Sequence, residues 1–139
     1  GAACLGVAKE MLELSANYSK ERKQFDHPIS FFQAVQFMLS EMAVMIFNME
    51  SIVYRTATDY DLKKDISTRS AMVKLYCSDA LDEVVDRAVQ IHGGMGYSQE
   101  LSIERYYRDS RINRIFEGTN EIQKGIIARD ILKKGGKLF

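Results

Sequence analysis

The chain has 139 residues, 46% of them hydrophobic, which is enough for one domain that buries roughly two thirds of its surface. Nineteen basic and nineteen acidic residues cancel, so the composition carries no electrostatic footprint for nucleic acid or an anionic membrane surface. No uninterrupted apolar run approaches the ~20 residues that span a bilayer, and no signal peptide is visible. Cys4 and Cys77 have neither CxxC spacing nor a His cluster and read as two buried, reduced thiols, as expected of a soluble intracellular domain or a piece of one.

The elements read as helical almost throughout, with a single proline, Pro28, and no series of short alternating strands. A first helix is predicted from Ala2 to Lys23, with Leu5, Ala8, Leu12 and Ala16 on one face. It ends before Phe25-Asp26-His27-Pro28, where Pro28 disfavours a helical His27. Ser30 is the expected N-cap of a second helix carrying Val35, Met38, Met42, Met45, Met49 and Ile52 at helical spacing. Leu39, Ile46, Phe47 and Val53 widen that stripe beyond what one partner helix covers, which points to a further subunit or domain. Thr58 to Thr68 reads as a polar connection. A third helix carries Val73, Cys77, Ala80 or Leu81, Val84, Ala88 and Ile91, and stops at Gly93-Gly94. A short helix is expected over Ile103 to Tyr107. The last opens near Thr119 and runs through Ile122, Ile126, Ala128 and Ile131 to Gly135-Gly136. Four main helices with short connections make an all-α, up-down four-helix bundle.

Three segments carry chemistry. Ile115 to Gln123 sets Glu117 between Phe116 and Gly118 just before a helix, whose first N–H groups favour an anion. Gly118 permits close approach to the backbone, while the plain alternative for Glu117 is a solvated loop acid. Glu21-Arg22-Lys23-Gln24-Phe25 puts cations, an amide and an aromatic at a helix C-terminus. There they either complement the dipole or let Arg22 grip a phosphate. In Gln90-Ile91-His92-Gly93-Gly94-Met95-Gly96-Tyr97, three glycines in four residues exceed what a helix stop requires and suit a backbone pressed against a flat or anionic ligand. This is no Rossmann fingerprint, since it follows a helix and lacks the GxGxxG spacing.

In this order, these segments resemble the C-terminal domain of the acyl-CoA dehydrogenase family over essentially all of residues 1–139. Phe32 to Gln36, Glu104-Arg105, Arg108-Asp109 and the run from Ile115 through Arg129 carry the likeness further. The resemblance implies oxidation of an acyl-CoA thioester to its trans-2-enoyl form, with Glu117 taking the α-proton and FAD the β-hydride. A base for so weak an acid needs an apolar surround, which Phe116 and the acyl chain would supply. The developing enolate needs positioned donors, one being the N–H of Glu117 itself.

By the same resemblance, Arg22, Gln24, Phe25, Gln90 and Gly94 contact a flavin held mainly by a neighbouring subunit. Thr119 and Glu121 touch the subunit's own FAD, and Gly118 makes a backbone contact to substrate. Asp26 replaces a usual glycine, Glu121 stands at a variable position, and His92 replaces a bulky apolar residue and is expected to be packed or at an interface. The N-terminal helical and middle β domains of a full family member are absent. The chain is therefore expected to be an inactive fragment of a homo-oligomer, a dimer of dimers with electron-transfer flavoprotein as partner, in the bacterial cytoplasm or the mitochondrial matrix. No metal site is expected. An acyl-CoA oxidase of the same superfamily and a non-catalytic helical oligomerisation module are the alternatives.

Overall fold

In the computed structural model, which describes residues 1–138, helix α1 runs from Ala2 to Glu21. It stops two residues earlier than predicted because Arg22 turns extended and Lys23-Gln24 (β1) pairs with His27-Pro28 (β2) as an antiparallel hairpin. The two turn residues, Phe25 (φ +53) and Asp26 (φ +65), have the double left-handed conformation that matches the twist of a two-residue hairpin. No β-propensity announces these two short strands. A 3₁₀ turn, Ile29–Phe31, follows, and α2 spans Gln33–Asp61. Ser30 lies inside that turn and is not the N-cap, a place taken by Phe32 with no side-chain cap. Instead Gln36 Nε2 reaches back 2.9 Å to donate to the Ser30 carbonyl.

The expected connection shrinks to residues 62–66, with α3 spanning Ser67–His92. Polar residues read as loop belong to helix ends. The Asp59 carboxylate, 2.8 Å from both Lys64 and Arg69, closes the turn, and Asp65 accepts from the Ser67 N–H and hydroxyl. So short a link makes α2 and α3 antiparallel neighbours. One turn, α4 (Gly94–Tyr97), and α5 (Ile103–Ser110) lead through a 3₁₀ turn, Arg111–Arg114, to α6, Asn120–Lys133.

α3 is the axis, packed by α1, α2, α5 and α6. Its predicted face is the buried one: Cys77, Ala80, Leu81, Val84, Ala88 and Ile91. They meet Leu5, Ala8 and Met11 of α1 and Met42, Ile46 and Met49 of α2 in one core. Each fully buried Met in that core contributes about 1.5–3 kcal/mol. Cys4 and Cys77 are both buried and free.

The α1 face is turned from the expected one, burying Met11, Ser15 and Ser19 while Leu12 and Ala16 are half-buried, and α6 departs as well. In α6 the side against α3 is Asn120, Gln123, Ile126 and Ile127, while Ile122 and Ala128 are exposed, because a buried polar pair sets the helix's rotation. In α2, Phe37, Val44, Phe47 and Tyr54 form an outward apolar stripe that nothing among the described residues covers. By length and composition alone α2 is apolar enough to cross a bilayer, with mean hydropathy 1.3 over its best window. Its Glu41, however, pairs with Arg87 of α3 at 2.7 Å and its inner face is bundle core, as in a packed helix.

Candidate functional site

The Glu117 loop is built between two anchors on α3. Before it, Arg114 reaches Asp79 (3.0 Å) and Asp82 (3.1 Å). After it, the buried Asn120 carboxamide spends every polar atom on α3: Nδ2 donates to Ser78 Oγ and Asp79 Oδ1, both at 2.9 Å, and Oδ1 accepts from Lys74 Nζ at 2.6 Å. One carboxylate oxygen of Asp79 thus ties down both ends of the loop. Burial lowers the pKa of Lys74, an effect that the neighbouring Asp79 carboxylate opposes.

Between the anchors the chain makes two consecutive left-handed residues, Glu117 (φ +54) and Gly118 (φ +84). For Glu117 that conformation is disfavoured, and such strain persists where surrounding structure imposes it. The Glu117 carboxylate is exposed, as are Phe116 and Gly118. No oxygen among the described residues accepts a backbone bond from the Glu117 N–H. Thr119 is the N-cap of α6, its hydroxyl accepting from the Ile122 N–H at 3.4 Å. The Glu121 carboxyl sits below the usual carboxylate range, held by its own backbone N–H first and by the Thr119 hydroxyl second. Glu117, Gly118, Thr119 and Glu121 therefore form one contiguous acidic surface at a helix N-terminus.

Arg22, Gln24 and Gly94 meet elsewhere, around a groove of about 440 Å³ with Tyr18, His92 and Gly93. Arg22 has no ion pair among the described residues, so its guanidinium faces the groove unspent. The glycine excess divides by role. A Cβ on Gly93 or Gly94 would meet nothing within 4 Å, whereas one on Gly96 would sit 2.8 Å from His92 Cβ and 2.9 Å from the Val89 carbonyl. The first two leave open space for a ligand against the backbone, and the third is needed for packing on α3. His92 is packed, as its position suggested: it stacks on Tyr18 with centroids 4.4 Å apart, and Nδ1 is 2.7 Å from the Ala88 carbonyl. Phe25, 85% exposed at the hairpin tip, and Gln90, exposed one turn before Gly94, flank the groove without lining it.

The two patches are separate. Asn120 binds α3 at Ser78 and Asp79, while the groove lies at Ile91 and His92, thirteen residues on and hence roughly 20 Å along the helix. A ligand reaching both would have to be long, or the two serve different molecules. Asn120, Gln123 and Asp79 were given no role from sequence, although polar residues at i and i+3 on the inner face of a helix start were the available signal.

A family model described as acyl-CoA dehydrogenase, C-terminal domain, matches residues 1–132. The chain belongs to the acyl-CoA dehydrogenase family. A subunit of the caffeyl-CoA reductase–Etf complex of Acetobacterium woodii is 42% identical over 94% of this chain and 34% of its own length. Butyryl-CoA dehydrogenase from Megasphaera elsdenii superposes with a TM-score of 0.91 at 37% identity, over 93% of this chain and 34% of that one. The FAD complex of a protein named PigA superposes at 0.90, with 33% identity, over 95% and 34%. The chain thus spans about a third of the length of these relatives. Bundle and family agree with the reading from sequence.

Proposed function

We propose that residues 1–139 are the C-terminal bundle domain of an FAD-dependent acyl-CoA dehydrogenase in which Glu117 removes the α-proton of the acyl-CoA thioester. The observation that carries this reading is a carboxylate held on a strained loop with no partner among the described residues, beside an N–H of the same residue with no acceptor among them. A thioester oxygen bound at that N–H would put its α-carbon within reach of the carboxylate. The N–H would then stabilise the charge that grows on oxygen as the proton leaves. Gly118 adds backbone room for the substrate, and Phe116 an apolar wall.

The residues suit FAD in two places. Arg22 as phosphate donor, Gln24 and the open backbone of Gly94, with Gln90 and Phe25 at the margins, form a groove for the dinucleotide of a neighbouring subunit. Thr119 and Glu121, at the start of α6, face the subunit's own FAD. When bound, FAD supplies the acceptor for the β-hydrogen as hydride. Both patches are open in the isolated chain, which is therefore expected to hold flavin weakly and to be inactive. Assembly as a dimer of dimers would cover the α2 stripe, with electron-transfer flavoprotein as the redox partner. β-Oxidation in the bacterial cytoplasm or the mitochondrial matrix is the setting this reading fits.

A second direction is supported by the relative named a reductase: protonated Glu117 would deliver a proton to the α-carbon of an enoyl-CoA, and reduced FAD, when bound, would supply the hydride for its β-carbon. The deciding experiment is Glu117→Gln in the full-length protein carrying this domain. Anaerobic bleaching of the flavin by straight-chain acyl-CoA is expected to slow by about 10²–10⁴-fold with FAD affinity retained. Unchanged bleaching removes Glu117 from the chemistry. A parent protein that binds no flavin returns the chain to the assembly reading.

A further inference from the structure

We propose that Gln123 is the positioning residue of this site: its side-chain amide holds the Glu117 and Gly118 peptides in the left-handed conformation that sets the carboxylate and the free N–H together. The inference rests on Glu117 being the base. Gln123 lies one turn into α6 and is 9% exposed, on the side packed against α3. A glutamine there is unfavourable unless its polar atoms are partnered. Its Nε2 donates to the carbonyls of Glu117 and Gly118, each at 3.3 Å, and so grips two successive peptide units of the loop.

The fit is mutual. A Cβ at Gly118 would stand 2.9 Å from Gln123 Nε2, so the glycine leaves the space that the amide occupies. Asp79, through Arg114 and Asn120, fixes the two ends of the loop but makes no bond to the peptides between them. Those peptides carry the disfavoured φ of +54 at Glu117, and Gln123 supplies the only side-chain bonds to them among the described residues. Without the amide the loop would stay attached while the two peptide planes were free to relax. Proton transfer is sensitive to such displacement, a shift near 1 Å costing about 10²-fold in rate.

The test is Gln123→Leu and Gln123→Glu in the full-length, FAD-loaded protein, beside Glu117→Gln. The rate of flavin bleaching with protiated and α-deuterated acyl-CoA reports proton abstraction. KM, FAD affinity, melting temperature and deuterium uptake by the peptide covering residues 115–119 report everything else. Both Gln123 variants are expected to bleach about 10–100-fold more slowly with an undiminished isotope effect, with KM and FAD affinity within about threefold. Deuterium uptake in the loop should quicken about tenfold. Bleaching within twofold of wild type in either folded variant overturns the proposal, as does a rate loss that only follows loss of FAD or of the fold. If Glu117→Gln bleaches normally, the base assignment fails and this inference with it. If Glu117→Gln is inactive while the Gln123 variants are not, only the role of Gln123 fails.

Discussion

Ser15 and Asn120 are both buried polar residues with opposite balances. The Ser15 hydroxyl, fully buried on α1, has no hydrogen-bond partner among the described residues, whereas every side-chain polar atom of Asn120 is paired. A buried donor without a partner keeps its desolvation cost, of order 1–3 kcal/mol, and gives nothing back. Ser15→Ala is therefore expected to stabilise the chain by about 1 kcal/mol. Asn120→Ala removes the hydrogen-bond acceptor of the half-buried Lys74 ammonium and the amide's bonds to Ser78 and Asp79, and is expected to cost about 2–3 kcal/mol. Urea denaturation of the two variants checks both signs. A destabilised Ser15→Ala would mean that the hydroxyl finds an acceptor in solution, and a neutral Asn120→Ala would mean that the α6 anchor is dispensable.

Among the helices, what was legible from sequence followed the strength of the pattern. α3, enclosed by neighbours on several sides, shows its face as an unbroken 3.6-residue rhythm from Cys77 to Ile91, and the structure buries that face. α6 packs chiefly on α3, and its rotation is set by Asn120 and Gln123, so the row Ile122, Ala128, Ile131 misled. The hairpin was illegible because two-residue strands have no periodicity and Phe25-Asp26 is not a customary left-handed pair. The Glu117 segment stands out in the sequence by its residue types, but its strained backbone and the amide that grips it belong to tertiary structure. α2 yields a prediction of its own. Phe47 is 69% exposed and Val44 61%, one helical turn apart, while Met42 and Met49 on the opposite side are fully buried. Self-association through this face is the expected outcome of sedimentation velocity, and Val44→Lys with Phe47→Lys should then shift the chain to monomer with the urea midpoint nearly unchanged. Met42→Ala should instead cost about 2–5 kcal/mol through its cavity. Persistent association of the double lysine variant would place the contact on another face.

For the molecule as a whole, equal numbers of acids and bases leave pH dependence to a few placed groups. His92 is pushed below its ordinary value by burial against Tyr18, an effect opposed by its bond to the Ala88 carbonyl. Its folded form therefore favours the neutral ring. Stability from this group is fully present above the unfolded value near 6.5 and is lost as pH falls through the lower folded value. The carboxyls of Asp59 and Asp130 are held low, chiefly by Lys64 and Lys134, so their contribution is present above the unfolded value near 3.8 and fails further into acid. At the alkaline end, burial lifts the Cys77 thiol to about 11, so the unfolded chain ionises first and stability declines as pH rises from about 9 towards that value. The melting temperature should thus hold level between roughly pH 6.5 and 9 and fall on both sides. His92→Phe keeps the stacking on Tyr18 while removing the titrating ring, so it should flatten the fall between pH 6.5 and 4.5 and leave the steeper loss below pH 4. If wild type and His92→Phe decline in parallel across that window, the ring is charged in the folded chain, and the groove it lines must supply a counter-charge to hold it.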